Sequence, residues 1–140
     1  MGVVMASQGL RILVADDQEN MRQLFARVLG TLGYSVDIST DGRDCLIKFA
    51  QQRYDIVFLD LIMPEIDGET VLRWVKAYYP QTQIVISSVH DDEAVIRLML
   101  SLGATAYLVK PFAAHEIRNV VRGIENRRTA AGLGMVAAGA

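Results

Sequence analysis

The stretch that decides the fold covers residues 54–68 and reads Tyr-Asp-Ile-Val-Phe-Leu-Asp-Leu-Ile-Met-Pro-Glu-Ile-Asp-Gly. Its apolar residues 56–59 follow one another without a polar break, which is typical of a strand covered on both faces in a parallel sheet. Asp60 comes directly after this strand, where open α/β sheets place their ligands. Met63-Pro64 and Asp67-Gly68 then indicate a loop. Taken alone, Asp60 could equally well be a functional residue or one that merely ends the strand or caps a turn.

Working outward, short apolar runs alternate with amphipathic stretches along the whole chain. We predict strands at residues 10–15, 34–38, 56–59, 83–88 and 105–109. We predict helices from residue 18 to the stop signal at Gly33, from 41 to about 52, around 71–78, from about 91 to 102, and from 113 to 128. Helices this short, in strict alternation with strands, fit crossovers between parallel strands. The sequence therefore predicts a doubly wound α/β fold, a five-stranded parallel sheet flanked by five helices.

Apolar residues at three- and four-residue steps predict which face of each helix packs on the sheet. In the second helix the stripe is Cys45, Leu46, Phe49 and Ala50. In the third helix the residues are Val71, Leu72, Val75 and Tyr78. In the fourth helix they are Val95, Leu98, Met99 and Leu102. Ile96 and Leu100 fall off that stripe, so we expect both to be exposed.

Composition bounds the domain organisation and the class of protein. The 140 residues fit one domain, over residues 10–128, preceded by a flexible N-terminus at 1–9. Residues 129–140 are rich in Ala and Gly and carry no charge, which predicts a tail or linker. No apolar run approaches the roughly 18 residues of a membrane span, and the first residues lack a secretory signal, so we expect a cytoplasmic protein.

Charge and cysteine content exclude several function classes. The formal net charge of -2 shows no basic excess, so nothing indicates direct nucleic-acid contact. Cys45 is the single cysteine, which excludes an internal disulfide and a thiolate metal cluster.

Chemically active side chains stand at the ends of four predicted strands. They are Asp16 and Asp17, Asp60, Ser87 and Ser88, and Lys110. The carboxyl ends of parallel strands share one edge of the sheet, so these groups are candidates for a single site. Crowded carboxylates repel one another, which should raise the pKa of at least one of them when no metal is bound.

This set of side chains points to phosphoryl transfer. Oxygen ligands without thiols or imidazoles suit Mg²⁺, which is usually held by one or two carboxylates plus a phosphate. A carboxylate can act as the nucleophile, while a cation and an ammonium group hold the charge of the transferred group.

Several motifs together resemble the receiver domain of response regulators in two-component signal transduction. They are Asp16-Asp17, the run from Asp60 to Gly68, Ser88, and Lys110-Pro111-Phe112, and the likeness covers about residues 10–126. The resemblance implies the flavodoxin-like strand order 2-1-3-4-5 of chemotaxis regulators. It also implies a phosphorylation-dependent switch that is not an enzyme, apart from intrinsic Mg²⁺-dependent autophosphorylation and autodephosphorylation.

The resemblance assigns the acidic residues specific roles. Asp60 is implied to accept a phosphoryl group from a phosphohistidine and to contribute to the metal site. Asp17 is implied to bind Mg²⁺ directly, while Asp16 acts mainly through water. The backbone carbonyl of Ile62 is implied to complete the protein's ligands.

The resemblance also assigns roles to the remaining strand ends. Ser88 matches the switch residue that hydrogen-bonds the phosphoryl group, whereas Ser87 lies one position too early. Lys110 is implied to pair with phosphoryl oxygens, and its peptide bond to Pro111 is implied to be cis. Tyr107 matches an aromatic residue that turns inward on activation.

The implied partners are a sensor histidine kinase or a phosphotransfer protein. A downstream target or a linked output domain would bind the face of the fourth helix, fifth strand and fifth helix. Neither nucleic acid nor a membrane is implied as a direct partner of this domain.

Two residues depart from the usual pattern of the resemblance. Val89 follows the switch residue where the family usually has a small side chain, which predicts narrower access to the phosphoryl group or a restricted Tyr107. Ile62 offers no polar group to orient an attacking water, so we expect slow self-dephosphorylation.

Three other functions compete with the switch. An aspartyl-phosphate phosphohydrolase would place a second Asp where this chain has Ile62, and 140 residues leave little room for a substrate cap. A flavodoxin-like cofactor binder would need a phosphate-cradling glycine loop soon after the first strand, and none follows residues 10–15. A phosphorylation-independent scaffold would not need the complete acidic set and Lys110.

Overall fold

The structure, a computed structural model, describes residues 9–132. The predicted flexible N-terminus lies outside the described residues except for Gly9, and so does the part of the predicted tail after residue 132. Within the described range, no helix is both long enough and apolar enough to cross a membrane.

One parallel sheet forms the centre of the domain. Its strands are β1 (Arg11–Ala15), β2 (Ser35–Ser39), β3 (Ile56–Asp60), β4 (Gln83–Ser88) and β5 (Ala106–Val109). They are hydrogen-bonded in the order β2-β1-β3-β4-β5, and every pair is parallel. The predicted fold class and strand order are confirmed.

Among the described residues, four α-helices connect the five strands and a fifth follows β5. They are α1 (Glu19–Thr31), α2 (Gly42–Gln51), α3 (Gly68–Tyr78), α4 (Glu93–Ser101) and α5 (Ala114–Gly132). Aspartates start three of them, because the side chains of Asp41, Asp67 and Asp92 accept hydrogen bonds from backbone N–H groups of the first turn. These caps fix where α2, α3 and α4 begin.

The sheet separates two apolar layers, since successive residues of each buried strand point to opposite faces. In β3, Val57 and Leu59 face the layer formed with α2, α3 and α4. Ile56 and Phe58 face the layer formed with α1 and α5. This burial on both faces explains why β3 reads as a continuous apolar run, and it places Asp60 at the end of the most enclosed strand.

The last helix is longer than the sequence pattern suggested. It was expected to end near Arg128, but it continues to Gly132, so the predicted tail from residue 129 starts inside the helix. Alanine has the highest helix propensity, and Ala130 and Ala131 follow Thr129 in this segment. The absence of charge that suggested a linker therefore does not prevent the extra turn.

Some residues of the predicted core stripes lie on the surface. Tyr78 is 67% exposed and Leu98 is 42% exposed. Ala50 is exposed as well. In α4 only Met99 is fully buried, because this nine-residue helix packs beside β5, the short edge strand of the sheet. Leu100 is 43% exposed as expected, whereas Ile96 is half-buried.

Candidate functional site

An acidic pocket lies at the carboxyl edge of the sheet. Asp16 follows β1 and Asp60 ends β3, and these two strands are neighbours. Carboxylate oxygens of Asp16, Asp17 and Asp60 lie within 4.8 Å of one another. Asp16 and Asp60 are buried, whereas Asp17 is exposed. The topology thus brings together the three acids that the sequence placed at strand ends.

Lys110 supplies the positive charge of this pocket. Its Nζ donates to Asp16 Oδ2 at 2.9 Å and to Asp60 Oδ2 at 3.2 Å. The side chain of Lys110 is only 7% exposed. Its backbone is held by a hydrogen bond from its N–H to the carbonyl of Ser88, and the peptide bond to Pro111 is cis, as the family resemblance implied.

The pKa of the Asp60 carboxyl is raised, as expected for at least one of the crowded acids, but the main cause is different. Burial is the main cause that raises the pKa of the Asp60 carboxyl above its usual value, and the negative charge of Asp16 raises it further. The N–H of Ile62 and the ammonium of Lys110 act in the opposite direction. Crowding of acids, the cause expected from the sequence, is therefore the smaller contribution.

The loop after β3 wraps closely around the phosphoacceptor candidate. Asp60 Oδ1 accepts a hydrogen bond from the N–H of Ile62 at 3.1 Å. Gly68 starts α3 directly against Asp60, where a Cβ atom would lie 2.2 Å from the Asp60 carbonyl oxygen. Only glycine can make this approach without moving the strand end.

A strained turn lies in the middle of that loop. Glu65 has a φ of 71°, and the N–H of Ile66 donates to the carbonyl of Pro64 across it at 2.8 Å. A γ-turn of this hand is rare and costs conformational energy in a non-glycine residue. The loop that carries Ile62 is thus locally strained, which is common close to functional sites.

The ends of β4 and β5 form the other side of the site. Ser88 is fully buried, and its Oγ accepts a hydrogen bond from the N–H of His90 at 3.2 Å. Ser87 lies opposite Asp60 in the sheet, and its buried hydroxyl has no hydrogen-bond partner among the described residues. Tyr107 donates its hydroxyl to the His90 carbonyl at 2.8 Å, and burial raises its pKa. The β4–α4 connection is therefore attached to both Ser88 and Tyr107.

Two exposed apolar side chains flank the polar groups. Ile62 is 53% exposed two residues after Asp60, and Val89 is 60% exposed directly after Ser88. The backbone carbonyl of Ile62 remains a predicted metal ligand. The effect of Val89 on access to the pocket also remains a prediction.

Gln18 belongs to the site although no motif of the sequence predicted it. Its Oε1 accepts a third hydrogen bond from Lys110 Nζ at 3.1 Å, and its backbone N–H donates to Asp16 Oδ1 at 2.9 Å. The available signal was its position directly after Asp16-Asp17, at the start of the first predicted helix.

The donor set suits a hard divalent cation. The pocket offers carboxylate oxygens from three residues, with neither sulfur nor imidazole among the grouped side chains. Such oxygen ligands favour magnesium-type ions over zinc. Asp17, the exposed member, leaves the pocket open to solvent on one side. The geometry can therefore hold a metal ion beside a carboxylate that is itself paired with a lysine.

Known proteins with similar sequences share this architecture. Residues 12–122 match the family model described as the response regulator receiver domain. The response regulator MprA of Mycolicibacterium vanbaalenii is 37% identical over 120 residues, which cover 86% of this chain and 52% of the relative. The chain therefore spans about half the length of curated relatives of this kind.

Solved structures agree with the sequence comparison. The receiver domain of the Francisella response regulator 1452 superposes with a TM-score of 0.80 at 27% identity, covering 85% of this chain and 98% of that one. The chemotaxis response regulator CheY4 of Vibrio cholerae has a TM-score of 0.77 at 27% identity, with 82% and 98% coverage. Receiver domains are signalling parts of two-component systems and are generally not enzymes in the usual sense. Together, the site, the fold and these likenesses show that the chain belongs to the response regulator receiver domain family.

Proposed function

We propose that this domain is switched by phosphorylation of Asp60, which receives the phosphoryl group from a phosphohistidine of a sensor histidine kinase or a phosphotransfer protein. One observation carries the assignment. Asp60 ends the central strand, and one of its carboxylate oxygens is 3.2 Å from the Lys110 ammonium inside a cluster of acids. Among the grouped acids it alone has both a buried carboxylate and a backbone N–H donor from the β3–α3 loop.

The proposed transfer is a displacement at phosphorus. A carboxylate oxygen of Asp60 attacks the phosphorus atom and forms the new O–P bond while the N–P bond of the phosphohistidine breaks. The bonding electron pair leaves with the ring nitrogen, which takes up a proton. The Lys110 ammonium stabilises negative charge on the phosphoryl oxygens, since it already lies within hydrogen-bond distance of Asp60.

The residues that would hold Mg²⁺ are Asp16, Asp17 and Asp60, with the Ile62 carbonyl. A bound Mg²⁺ would supply positive charge that offsets both the crowded carboxylates and the phosphoryl oxygens. The same arrangement supports the proposal that small phosphodonors phosphorylate the domain without a kinase and that it dephosphorylates itself. Because Ile62 is apolar, we expect the phosphoryl group to last long; rapid loss from the isolated domain, followed by mass spectrometry, would contradict this expectation.

Phosphorylation would act by changing the populations of two conformations. The phosphoryl group adds up to about two negative charges and strong acceptor oxygens. Ser88 Oγ and Lys110 Nζ would donate to these oxygens, so Ser88 would have to reorient its hydroxyl, which now accepts from His90 N–H. Because Tyr107 is bonded to the carbonyl of the same His90, a shift there would be passed to the face of α4, β5 and α5.

That face offers apolar contacts for a target or a linked output domain. Leu98 and Leu100 on α4 are 42% and 43% exposed. Exposed aliphatic side chains on one short helix suit a transient interface. Leu98 was expected in the core, so the structure adds a contact that the sequence pattern had assigned elsewhere.

The decisive experiment is intact-protein mass spectrometry after incubation with a small phosphodonor and Mg²⁺. We expect the parent chain to gain one phosphoryl group and Asp60→Asn to gain none. Asp67→Asn is the matched control, because Asp67 is an exposed helix cap in the same loop, and it should behave like the parent. Phosphorylation of Asp60→Asn, or loss of phosphorylation in Asp67→Asn alone, would contradict the assignment.

A further inference from the structure

Gln18 occupies a position where its residue type is unusual. It is the N-cap of α1, with φ of -94° and ψ of 120°, and its carbonyl accepts from the N–H groups of Met21 and Arg22. N-cap positions favour Ser, Thr, Asp and Asn, whose short side chains bond the free N–H groups of the first turn. The Gln18 side chain makes no such bond. The helix therefore begins without the side-chain cap that α2, α3 and α4 have.

The Gln18 side chain reaches Lys110 instead. An ammonium group has three donors, and all three of Lys110 are used, by Asp16 at 2.9 Å, Gln18 at 3.1 Å and Asp60 at 3.2 Å. Asp16 ties the arrangement together, since its Oδ1 accepts from the backbone N–H of Gln18 and its Oδ2 accepts from Lys110. Residues that forgo a local stabilising interaction in this way are expected at functional sites.

We propose that Gln18 is a positioning residue for phosphoryl transfer to Asp60. Its side chain holds the Lys110 ammonium between the buried carboxylates of Asp16 and Asp60. This inference rests on the proposed function of Asp60. Lysine is a flexible side chain with freely rotating donors, so an acceptor on its open side restricts where the charge lies. Gln18 provides that acceptor from an exposed position, at the solvent side of the pocket.

The neutrality of the amide is the second part of the inference. Two carboxylates, Asp16 and Asp60, already accept hydrogen bonds from Lys110, and Asp17 belongs to the same acidic cluster. A carboxylate at position 18 would bind the ammonium more strongly and add further negative charge. An amide oxygen is the weakest of the three acceptors. When phosphoryl oxygens arrive at Asp60, Lys110 can exchange the Gln18 bond for a phosphoryl bond and keep its bond to Asp16.

The first test compares two nearly isosteric variants in the rate of phosphorylation by a small phosphodonor with Mg²⁺. Gln18→Met removes the acceptor and should slow phosphorylation by about two- to tenfold, the value of one hydrogen bond. Gln18→Glu keeps an acceptor but adds charge, so it should also be slower than the parent. Parent-like rates in both variants would overturn the inference.

The second test needs no phosphorylation and therefore separates a failure of this inference from a failure of the proposed function. An ammonium group held by hydrogen bonds exchanges its protons slowly with water and gives a ¹⁵N–¹H signal in NMR spectra. The test records this signal in metal-free protein. We expect the Lys110 signal, assigned by its absence in Lys110→Arg, in the parent and in Gln18→Glu, and its loss in Gln18→Met. A signal that persists in Gln18→Met would refute the positioning role even if the parent cannot be phosphorylated.

Gln18→Ser distinguishes positioning from a merely structural role. Serine is a better N-cap than glutamine but cannot reach Lys110. The free energy of unfolding, measured by urea denaturation, should rise while the phosphorylation rate falls. A variant in which both quantities fall together would show that Gln18 acts through the stability of α1, and the inference would be wrong.

Discussion

The two edges of the sheet treat charge in opposite ways. At the amino edge, Asp55 accepts hydrogen bonds from the backbone N–H of Arg11 at 2.8 Å and from the Arg128 guanidinium at 2.6 Å. These groups are partly exposed, and each charge has a partner of opposite sign or a backbone donor. At the carboxyl edge, the carboxylates of Asp16 and Asp60 are buried, and although each accepts from one backbone N–H, the two share the single positive charge of Lys110.

The neutral groups differ in the same way. At the amino edge the hydroxyl of Tyr54 donates to Asp37 at 2.7 Å, and Thr82 donates its hydroxyl to the Tyr54 carbonyl at 2.8 Å. At the carboxyl edge Ser87 keeps a buried hydroxyl without a partner among the described residues. The polar groups of the amino edge bond one another, whereas the carboxyl edge holds groups whose proposed partners, a cation and a phosphoryl group, would come from outside the chain.

Lys110→Met should give the largest effect. It leaves Asp16 and Asp60 as uncompensated buried charges, which should lower the free energy of unfolding by about 3 kcal/mol at neutral pH. Urea denaturation in metal-free buffer measures the change. Lys76→Met is the matched control, because Lys76 donates to the carbonyl of Pro80 and forms no buried ion pair within residues 9–132. It should change stability little. Equal losses of stability in Lys110→Met and Lys76→Met would show that the buried acids do not depend on the charge of Lys110.

Asp60→Asn should stabilise the metal-free domain. Because burial raises the folded-state pKa of Asp60 above its usual 3.8, the protonated form is favoured in the fold, and this contribution is lost as the pH rises through the raised pKa. At neutral pH the neutral amide should therefore raise the free energy of unfolding, by about 1 kcal/mol. Below pH 3.8 the carboxyl is neutral too, so the difference should vanish.

Asp67→Asn tests the sign of that argument within the same loop. Hydrogen bonds from Thr70 lower the pKa of Asp67, so its stabilising contribution is present above pH 3.8 and is lost as the pH falls. Asp67→Asn should thus destabilise at neutral pH, opposite to Asp60→Asn. If Asp60→Asn lowered the urea midpoint as Asp67→Asn is expected to do, burial would not be the main influence on the pKa of Asp60.

The amino-acid pattern was sufficient for those parts of the molecule that depend on burial and topology. The apolar runs of β1, β3 and β4 specify strands covered on both faces, and parallel connections then bring Asp16, Asp60 and Lys110 to one edge. No knowledge of side-chain conformation is needed for that step.

The amino-acid pattern could not predict individual side-chain contacts or the exposure of residues that pack beside the edge strand. The bond between Lys110 and Gln18 joins residues 92 positions apart and depends on rotamers, for which periodicity gives no signal. Leu98 has the spacing of a core residue, but the packing of α4 beside the edge strand leaves it exposed. The main cause of the raised pKa of Asp60 is likewise a depth of burial that only the assembled fold defines.

Tyr54→Phe measures one hydrogen bond at the amino edge. Tyr54 is 4% exposed, and its hydroxyl both donates to Asp37 and accepts from Gln52 at 2.7 Å. Loss of this group should lower the free energy of unfolding by about 1 kcal/mol, because Gln52 still donates to Asp37. Thermal and urea denaturation should agree, and Mg²⁺ should not alter the difference. A loss near that of Lys110→Met would mean that the amino edge is equally sensitive.

Arg128→Ala should have the smallest effect. The Arg128–Asp55 pair has side chains 47% and 28% exposed, so water and salt screen it, and Asp55 keeps the N–H of Arg11 as a partner. We expect a loss of about 0.5 kcal/mol in urea denaturation at low salt and almost none at about 0.5 M NaCl. Lys110→Met, whose pair is buried, should remain destabilising at both salt concentrations. A loss of stability in Arg128→Ala that did not depend on salt would contradict this prediction. The ion pair would then behave as a buried one that holds the end of α5 against the sheet, and the two edges would not differ in this respect.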